Sequence, residues 1–240
     1  DPMSGRQYFY WDKGSRSGEV VLKLFNGYQG ALQTDGYERY ELLDGKKGII
    51  LLSCWAHARR KFSDAIKNDR ERAESALEQI QLLYEVERQI KDQALCFEEA
   101  AKLRVRLAYP IMVRFEKWLV AEHAKVIKGS PIEKAILYTY NRFNKLSRYH
   151  LDGRYNIDNN GIENAARPVA VGRKNYLFCQ NDTAESTAII YSFMGCCKAA
   201  KVNFRTWMIY FLDHVHDYDQ DYTRDIAELL PDNLKDAGVL

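Results

Sequence analysis

Residues 48–62 read GIILLSCWAHARRKF, an apolar run that passes directly into a run rich in basic residues. The five consecutive apolar or small residues from Ile49 to Ser53 are typical of a buried central strand. The following segment, ARRKFSDAIKN, has the composition of a helix. A buried strand followed directly by a helix predicts a layered α/β core.

Three shorter elements precede this strand. RQYFYWDKG is aromatic-rich and ends in a turn, which predicts a strand. GEVVLKLFNGYQG has helical spacing, with Gly27 and Gly30 as its C-terminal stop. ALQTDGY predicts a short strand that turns sharply at Asp35 and Gly36. The order strand, helix, strand, strand, helix again favours an α/β core.

The middle of the chain, residues 68–128, consists almost entirely of good helix formers, with no glycine and only one proline, Pro110. Apolar residues recur at helical spacing, with charges on the other face. This pattern predicts two long helices, packed as a hairpin and inserted into the α/β core. An ordinary amphipathic helix pair is favoured here over any cofactor-binding role.

Downstream of this interval the core resumes with a strong helix start. Ser130 is an N-cap, Pro131 lies in the first turn and Glu133 completes a capping box. A strand or hairpin is expected at YLFCQND, followed by an apolar helix packed against the sheet and a further helix at NFRTWMIYFLDHV. The acidic tail is expected to be loosely packed. The predicted parts are 1–67 and 130–212 for the core, 68–129 for the helical insertion and 213–240 for the tail.

Composition excludes several classes of protein. The 46% hydrophobic content is enough for a real core. The net charge of +2 and the pI of about 8.2 do not by themselves indicate nucleic-acid binding, so evidence for it must come from local clusters of cations. Five scattered cysteines do not form a disulfide framework, which predicts a reducing, cytoplasmic compartment. No apolar run approaches the roughly 18 residues that span a membrane. The chain opens without a starting Met, so we expect a fragment of something longer.

Two acidic residues lie at positions where catalytic or ligand-binding residues are common. Asp35 ends a strand, where a carboxylate projects into the crevice of an open α/β sheet, although it is also an ordinary Asp-Gly turn. Glu163 lies in YNIDNNGIENAARPVAVGRKN (155–175), in the first turn of a helix that begins near Asn159 or Asn160. Favourable interaction with the helix dipole explains one acid at that place, but leaves the surrounding amides and cations unexplained.

Cations cluster in two places along the chain. Three follow the buried strand, and three lie close behind Glu163, where phosphate is a suitable partner: Arg59, Arg60, Lys61, Arg167, Arg173 and Lys174. His57 has no second histidine at metal-ligand spacing, so a structural role is favoured and no zinc site is expected.

Four segments together resemble the insertion-sequence-66 family of bacterial transposases. They are LQTDGYERY (32–40), CWAHARRKF (54–62), DNNGIENAARPVAVGRKNYLF (158–178) and AIIYSFMGCCK (188–198). They occur in that order, with a long helical interval between the second and the third. The resemblance covers most of the chain, and the combination of these motifs is highly specific.

The resemblance implies a transposase with a ribonuclease-H-like mixed sheet flanked by helices and an Asp, Asp, Glu catalytic triad. The second Asp falls on Asp35 and the Glu on Glu163, which would bind Mg²⁺ or Mn²⁺, two ions in the intact enzyme. Asn160 would order a ligand or contact DNA, His57 would support the site, and the six cations would hold phosphates. The implied partners are double-stranded DNA and further copies of the chain, in a bacterial, nucleoid-associated setting.

One departure from the family pattern matters. No position matches the first Asp, because Asp12 lies in a later segment of the family pattern and Asp1 is at a cut end. The resemblance therefore implies an N-terminally truncated catalytic domain that is inactive without this ligand. The alternative is a non-catalytic remnant that serves as a DNA-binding or assembly module. A nuclease unrelated to transposition would not need CWAHARRKF or the helical interval.

Overall fold

The structure is a computed structural model that describes residues 1, 3–175, 182–220 and 223–240, without the side chains of 173–175, 182, 219 and 220. These residues form two compact units, one of residues 17–160 and one of residues 1–16 and 161–240. Each unit has its own hydrophobic core. In these ranges no helix is both long enough and apolar enough to cross a lipid bilayer.

The sheet lies in the unit of residues 17–160. Strand β1 (Gly30–Thr34) and strand β2 (Ile49–Ser53) pair in parallel, residue for residue along their whole length. Both strands lie where the sequence predicts them, and β2 is buried at its carboxyl end. Because the strands are parallel, Asp35 after β1 and Cys54 after β2 lie at the same edge of the sheet.

The predicted mixed sheet is not observed, because the described residues contain only these two parallel strands. The predicted opening strand at 6–12 is wrong, since this segment forms no strand. Two of its backbone amides bond to helix side chains. The amide of Gln7 donates to Cys196 Sγ at 3.4 Å, and that of Phe9 donates to Ser192 Oγ at 2.8 Å.

The helices around the sheet follow the predicted order. They are α1 (Gly18–Leu24), a 3₁₀ turn (Glu38–Leu43), α2 (Trp55–Ala65), α3 (Arg70–Asp92), α4 (Phe97–Leu103), a π-helical stretch (Arg104–Ala108), α5 (Tyr109–His123), α6 (Pro131–Asn141), α7 (Phe143–Ser147) and a 3₁₀ turn (Arg148–Leu151). The predicted N-cap of α6 is confirmed, since Ser130 Oγ accepts a hydrogen bond from the amide of Glu133 at 3.3 Å. The Glu133 carboxylate accepts instead from the amide of Gly129 at 2.9 Å, so the reciprocal bond of the predicted capping box is not formed.

The second predicted long helix is helical from α4 to α5, but it contains the π-helical stretch. This stretch places Arg104 in the interior, with only 3% of its surface exposed. Its guanidinium donates to both carboxylate oxygens of Glu87 at 2.9 and 2.7 Å, and to the carbonyls of Tyr149 and Asp152 at 3.0 and 2.9 Å. Pro110 lies two residues after the end of the π-helical stretch. It lacks the amide that would bond to the preceding turn, which favours a locally altered helix.

The core of this unit joins the helical interval to the rest of the unit. Helix α2 packs against both α3 and α6, and α5 packs against α6. The rings of Trp55 and Phe62 from α2 each lie 6.1 Å from the ring of Phe115 on α5, and all three residues are fully buried. The helical interval thus shares one core with α2 and α6. The predicted domain boundaries remain a prediction.

An ionic network at the start of α3 predicts a pH dependence of stability. Arg72 lies 2.7 Å from both Asp69 and Glu122. The hydrogen bond from Arg72 lowers the pKa of Asp69, and hydrogen bonds from Lys125 and Arg72 lower the pKa of Glu122. A carboxylate whose pKa is lowered by folding stabilises the protein above its unfolded pKa, about 4, and this stabilisation is lost as the pH falls.

We therefore expect Arg72→Met to flatten the fall in the free energy of unfolding below about pH 5, measured by urea titration at several pH values. The control is Arg70→Met, which removes an exposed pair with Glu74 and should leave the slope unchanged. An acid slope in Arg72→Met equal to that of the wild type would contradict the prediction.

The other unit is built from helices. Its helices are α8 (Asn160–Asn175), α9 (Asp182–Ala200), α10 (Phe204–Gln220), a 3₁₀ turn (Ile226–Leu229) and α11 (Pro231–Asp236). The helices predicted at α9 and α10 are confirmed. Trp207 of α10 is fully buried and stacks on Phe193 of α9 with 4.7 Å between ring centroids. Residues 176–181 of the segment predicted as a strand or hairpin lie outside the described residues.

The tail prediction is wrong in part, because residues 223–240 pack into this core. Leu229 and Leu234 are 1% and 5% exposed, and the indole nitrogen of Trp207 donates to the Leu229 carbonyl at 2.9 Å. The tail is rich in acids, but its few leucines come at the spacing of short helical turns, which is the signal for packing.

Candidate functional site

Asp35 directly follows β1 in a tight turn at the carboxyl edge of the sheet. Its side chain is exposed, and Oδ1 accepts a hydrogen bond from the amide of Tyr37 at 2.9 Å. The turn requires glycine at the next position, since Gly36 has a φ of +84°. The sequence prediction of a strand followed by a sharp turn at Asp35 is confirmed.

Tyr138 of α6 and Arg142, the residue directly after α6, contact the backbone of this turn. The hydroxyl of Tyr138 donates to the carbonyl of Asp35 at 3.2 Å, and Nη2 of Arg142 donates to the carbonyl of Gly36 at 3.1 Å. The guanidinium of Arg142 lies 4.3 Å from the centre of the Tyr138 ring, and Nζ of Lys61 lies 5.5 Å from it. Of these three residues, only Lys61 is among the site residues predicted from the sequence.

The first half of the polar stretch 155–175 runs along the same edge of the sheet. The carbonyl of Asn156 accepts a hydrogen bond from the Gln33 side chain of β1 at 2.9 Å. The carbonyl of Ile157 accepts from the amide of Trp55, the first residue of α2 and two residues after β2, at 3.1 Å. These bonds tie the segment that leads into α8 to both strand ends.

Asp158 accepts hydrogen bonds from both sides of the start of α8. Its Oδ1 accepts from the amide of Asn160 at 3.1 Å, and its Oδ2 accepts from the Asn160 side chain and from the Tyr84 hydroxyl, both at 2.9 Å. Burial and the neighbouring Asp158 carboxylate raise the pKa of Tyr84 far above its usual value, so the phenol remains a donor. Asp158 therefore links α3 of the helical interval to the first residue of α8.

Cys54 lies at the start of α2, between the two strand ends and the polar stretch. Its Sγ accepts a hydrogen bond from the amide of Asn159 at 3.4 Å. Burial is the largest influence and raises its pKa, against the lowering effect of backbone amides. The thiol therefore stays protonated at neutral pH and is a packing and hydrogen-bonding group, not a nucleophile.

The remaining predicted site residues lie on α2 and α8. Arg59, Arg60 and Lys61 are all exposed, and His57 is half-buried near them on α2. Glu163 and Arg167 are exposed and one helical turn apart on α8, which begins at Asn160. Arg173 and Lys174 belong to the same helix, but their side chains lie outside the described residues.

The structure brings together only part of the predicted set. Asp35 and Lys61 share contacts with Tyr138 in the unit of residues 17–160, whereas Glu163 and Arg167 belong to the other unit. In the described part of the chain, no three His, Cys, Asp or Glu side chains are grouped to hold a metal ion. The sequence missed Tyr138 and Arg142, although their spacing of four residues on a predicted helix places them on one face.

The comparisons with known proteins concern most of the chain. Its residues 4–187 match the family model described as Transposase IS66 family. No solved structure matches the chain.

Three curated relatives, all uncharacterized proteins of Sinorhizobium fredii strain NGR234, match nearly the whole chain. Protein y4hP is 31% identical over 95% of this chain, and protein y4qI is 30% identical over 96%. Protein y4jD is 29% identical over 92%. In each case the matched region is 44% of the relative, so the chain spans less than half the length of these proteins. The family match over residues 4–187 shows that the chain belongs to the IS66 family of transposases.

Proposed function

We propose that this chain is the catalytic region of a DDE-type transposase with a ribonuclease-H-like core, which cleaves and joins DNA strands at the ends of a bacterial insertion sequence. Membership of the transposase family supports DNA as the substrate. The observation that carries the chemistry is the position of Asp35, an exposed carboxylate directly after a parallel strand. Open α/β sheets bind their ligands at this carboxyl edge.

The proposed metal ligands have suitable chemistry. Asp35 and Glu163 offer exposed carboxylate oxygens, the donors that Mg²⁺ and Mn²⁺ prefer. They are two of the three acids that the family pattern implies, and no described position matches the first. We propose that both residues hold the divalent ions, two in the complete enzyme. When bound, these ions supply Lewis-acid stabilisation of the charge on the phosphoryl oxygens.

The cations of the chain would position the DNA. Arg59, Arg60 and Lys61 are exposed on the helix that starts at the carboxyl edge of the sheet, and Lys61 lies beside the ring that contacts the Asp35 turn. Arg167, Arg173 and Lys174 follow Glu163 on α8. Contacts of this type hold phosphates and set the register of the duplex without reading its sequence. Asn160 would orient a ligand at the start of α8, and His57 would support α2.

The proposed reaction is phosphoryl transfer at each end of the mobile element. In cleavage, a water oxygen forms a bond to phosphorus, and the bond from phosphorus to the 3′-oxygen of the DNA breaks. In joining, the freed 3′-oxygen forms a bond to a phosphorus of the target strand, and the bond from that phosphorus to the 3′-oxygen of the target breaks. The proton of the attacking hydroxyl ends on the 3′-oxygen that leaves. Positioning and charge stabilisation supply most of the catalysis in such reactions, which agrees with a site of carboxylates and cations.

The function is tested by incubating the complete gene product with a plasmid that carries both ends of its element. We expect strand cleavage and joined products in Mg²⁺ or Mn²⁺, and neither with EDTA or in Ca²⁺-only buffer. Products are measured by primer extension at the element ends, with a plasmid lacking the ends as the control. Because two ends must be processed together, we further propose that several copies of the protein assemble on the DNA.

Specific binding to the ends without cleavage in any divalent ion would contradict the catalytic proposal. That result would favour the non-catalytic DNA-binding or assembly module. Metal-independent cleavage would contradict the assignment of Asp35 and Glu163 as metal ligands.

A further inference from the structure

The turn that carries Asp35 is held by side chains from a distant part of the chain. The last residue of β1 that pairs with β2 is Thr34, so the carbonyls of Asp35 and Gly36 lie beyond the ladder. Both carbonyls accept hydrogen bonds, one from Tyr138 of α6 at 3.2 Å and one from Arg142, directly after α6, at 3.1 Å. These two bonds hold the backbone in place just beyond the end of the sheet.

We propose that Tyr138 and Arg142 are positioning residues, which hold the Asp35 turn so that its carboxylate keeps one orientation. Neither side chain bonds to the carboxylate itself. Each bonds to a backbone carbonyl of the turn, and the carboxylate is oriented within the turn by the amide of Tyr37 at 2.9 Å. The effect of these residues on catalysis rests on the proposed function of Asp35, whereas their holding of the turn does not depend on it.

Close packing at Gly36 makes this arrangement specific. A Cβ atom at this position would lie 2.8 Å from the Tyr138 hydroxyl and 2.9 Å from Arg142 Nε, closer than such atoms approach. The φ of +84° also disfavours any residue with a side chain. The glycine therefore allows Tyr138 and Arg142 to reach the backbone of the turn at once.

Tyr138 and Arg142 also contact each other. The guanidinium of Arg142 lies 4.3 Å from the Tyr138 ring centre, a distance at which a cation is attracted to the ring face. The hydroxyl at the end of the same ring donates to the Asp35 carbonyl at 3.2 Å, so the ring that Arg142 contacts is itself held at the turn.

The test uses Tyr138→Phe and Arg142→Lys in the complete gene product. The first removes the hydroxyl and keeps the ring, and the second keeps the charge and loses the planar guanidinium. Tyr140→Phe is the matched control, because this tyrosine is exposed on the same helix. Two properties are measured: amide hydrogen exchange of the peptide that covers residues 33–40, and the kcat and KM of strand cleavage.

We expect faster exchange of the turn amides in both variants and a fall in kcat of about 10–100-fold, the loss typical of residues that orient a metal ligand. The KM for DNA should stay unchanged, since positioning acts on the chemical step. Tyr140→Phe should match the wild type in both measurements. Having two variants guards against a folding defect in one of them.

Three outcomes would overturn the proposal. The first is exchange of residues 33–40 at the wild-type rate in both variants. The second is faster exchange with an unchanged kcat, which would limit Tyr138 and Arg142 to a structural role. The third is a raised KM with an unchanged kcat, which would make them DNA contacts. If the wild type cleaves no DNA, the proposed function fails, whereas the exchange experiment still decides whether the two residues hold the turn.

Discussion

Glu163→Gln in the complete gene product is expected to abolish strand cleavage and joining, with a loss of at least about 10³-fold in rate. Gln keeps the shape of the side chain and one oxygen, but removes the negative charge that would hold a divalent ion. A bound ion contributes several kcal/mol of charge stabilisation in phosphoryl transfer, and each 1.4 kcal/mol is about tenfold in rate. Cleavage is measured on a plasmid with both element ends, under single-turnover conditions.

Folding and DNA binding should survive this change, because Glu163 is exposed in the first turn of α8. The loss of a favourable interaction with the helix dipole costs only about 0.3–1 kcal/mol. The matched control is Glu116→Gln, which alters an exposed glutamate of α5 outside the motifs. Wild-type cleavage by Glu163→Gln would remove this residue from the site.

The second acid is tested in the same assay by Asp35→Asn, with the exposed Asp64 of α2 changed to Asn as its control. A double variant that loses no more activity than either single variant would place both acids in one catalytic unit, since the effects of residues that act together are strongly non-additive. If only one substitution impaired cleavage, the pairing that the family resemblance implies would be wrong.

The largest effect on stability is expected at Arg104, where Arg104→Ala should lower the free energy of unfolding by about 3–5 kcal/mol. Arg104 is 3% exposed and lies 2.7 Å from Glu87, which would be left as a charge without its partner. The carbonyls of Tyr149 and Asp152 would also lose their donor. For a chain of this size the melting temperature should fall by about 6–20 °C, measured by calorimetry.

The control for this prediction is Arg106→Ala in the same π-helical stretch. Arg106 is exposed, so its removal should change the free energy of unfolding by no more than about 0.5 kcal/mol. A double variant of Arg104 and Glu87, with apolar residues of similar volume, should recover part of the loss, because it removes both charges from the interior. Equal stability of Arg104→Ala and Arg106→Ala would contradict the buried-pair interpretation.

Much of the local structure around the site could be predicted from short patterns. The apolar run at Ile49–Ser53 became β2, the Asp35-Gly36 dipeptide became a turn, and Ser130 capped α6. Each of these signals acts over a few residues, because strand burial, positive φ and capping are set by neighbouring side chains. The strand predicted at 6–12 is wrong for a non-local reason. Its aromatic pattern fits a strand, but two of its amides bond to helix side chains and not to a second strand.

The sequence alone determined the family, the parallel strand pair's position, and which acids and cations are candidates, since these follow from motifs and local periodicity. Only the tertiary structure decided which distant side chains support the site. Tyr138 bonds to Asp35 across 103 positions, and Tyr84 bonds to Asp158 across 74. Such contacts depend on how α3 and α6 pack into the core beside the sheet, and no local pattern in the sequence records that packing.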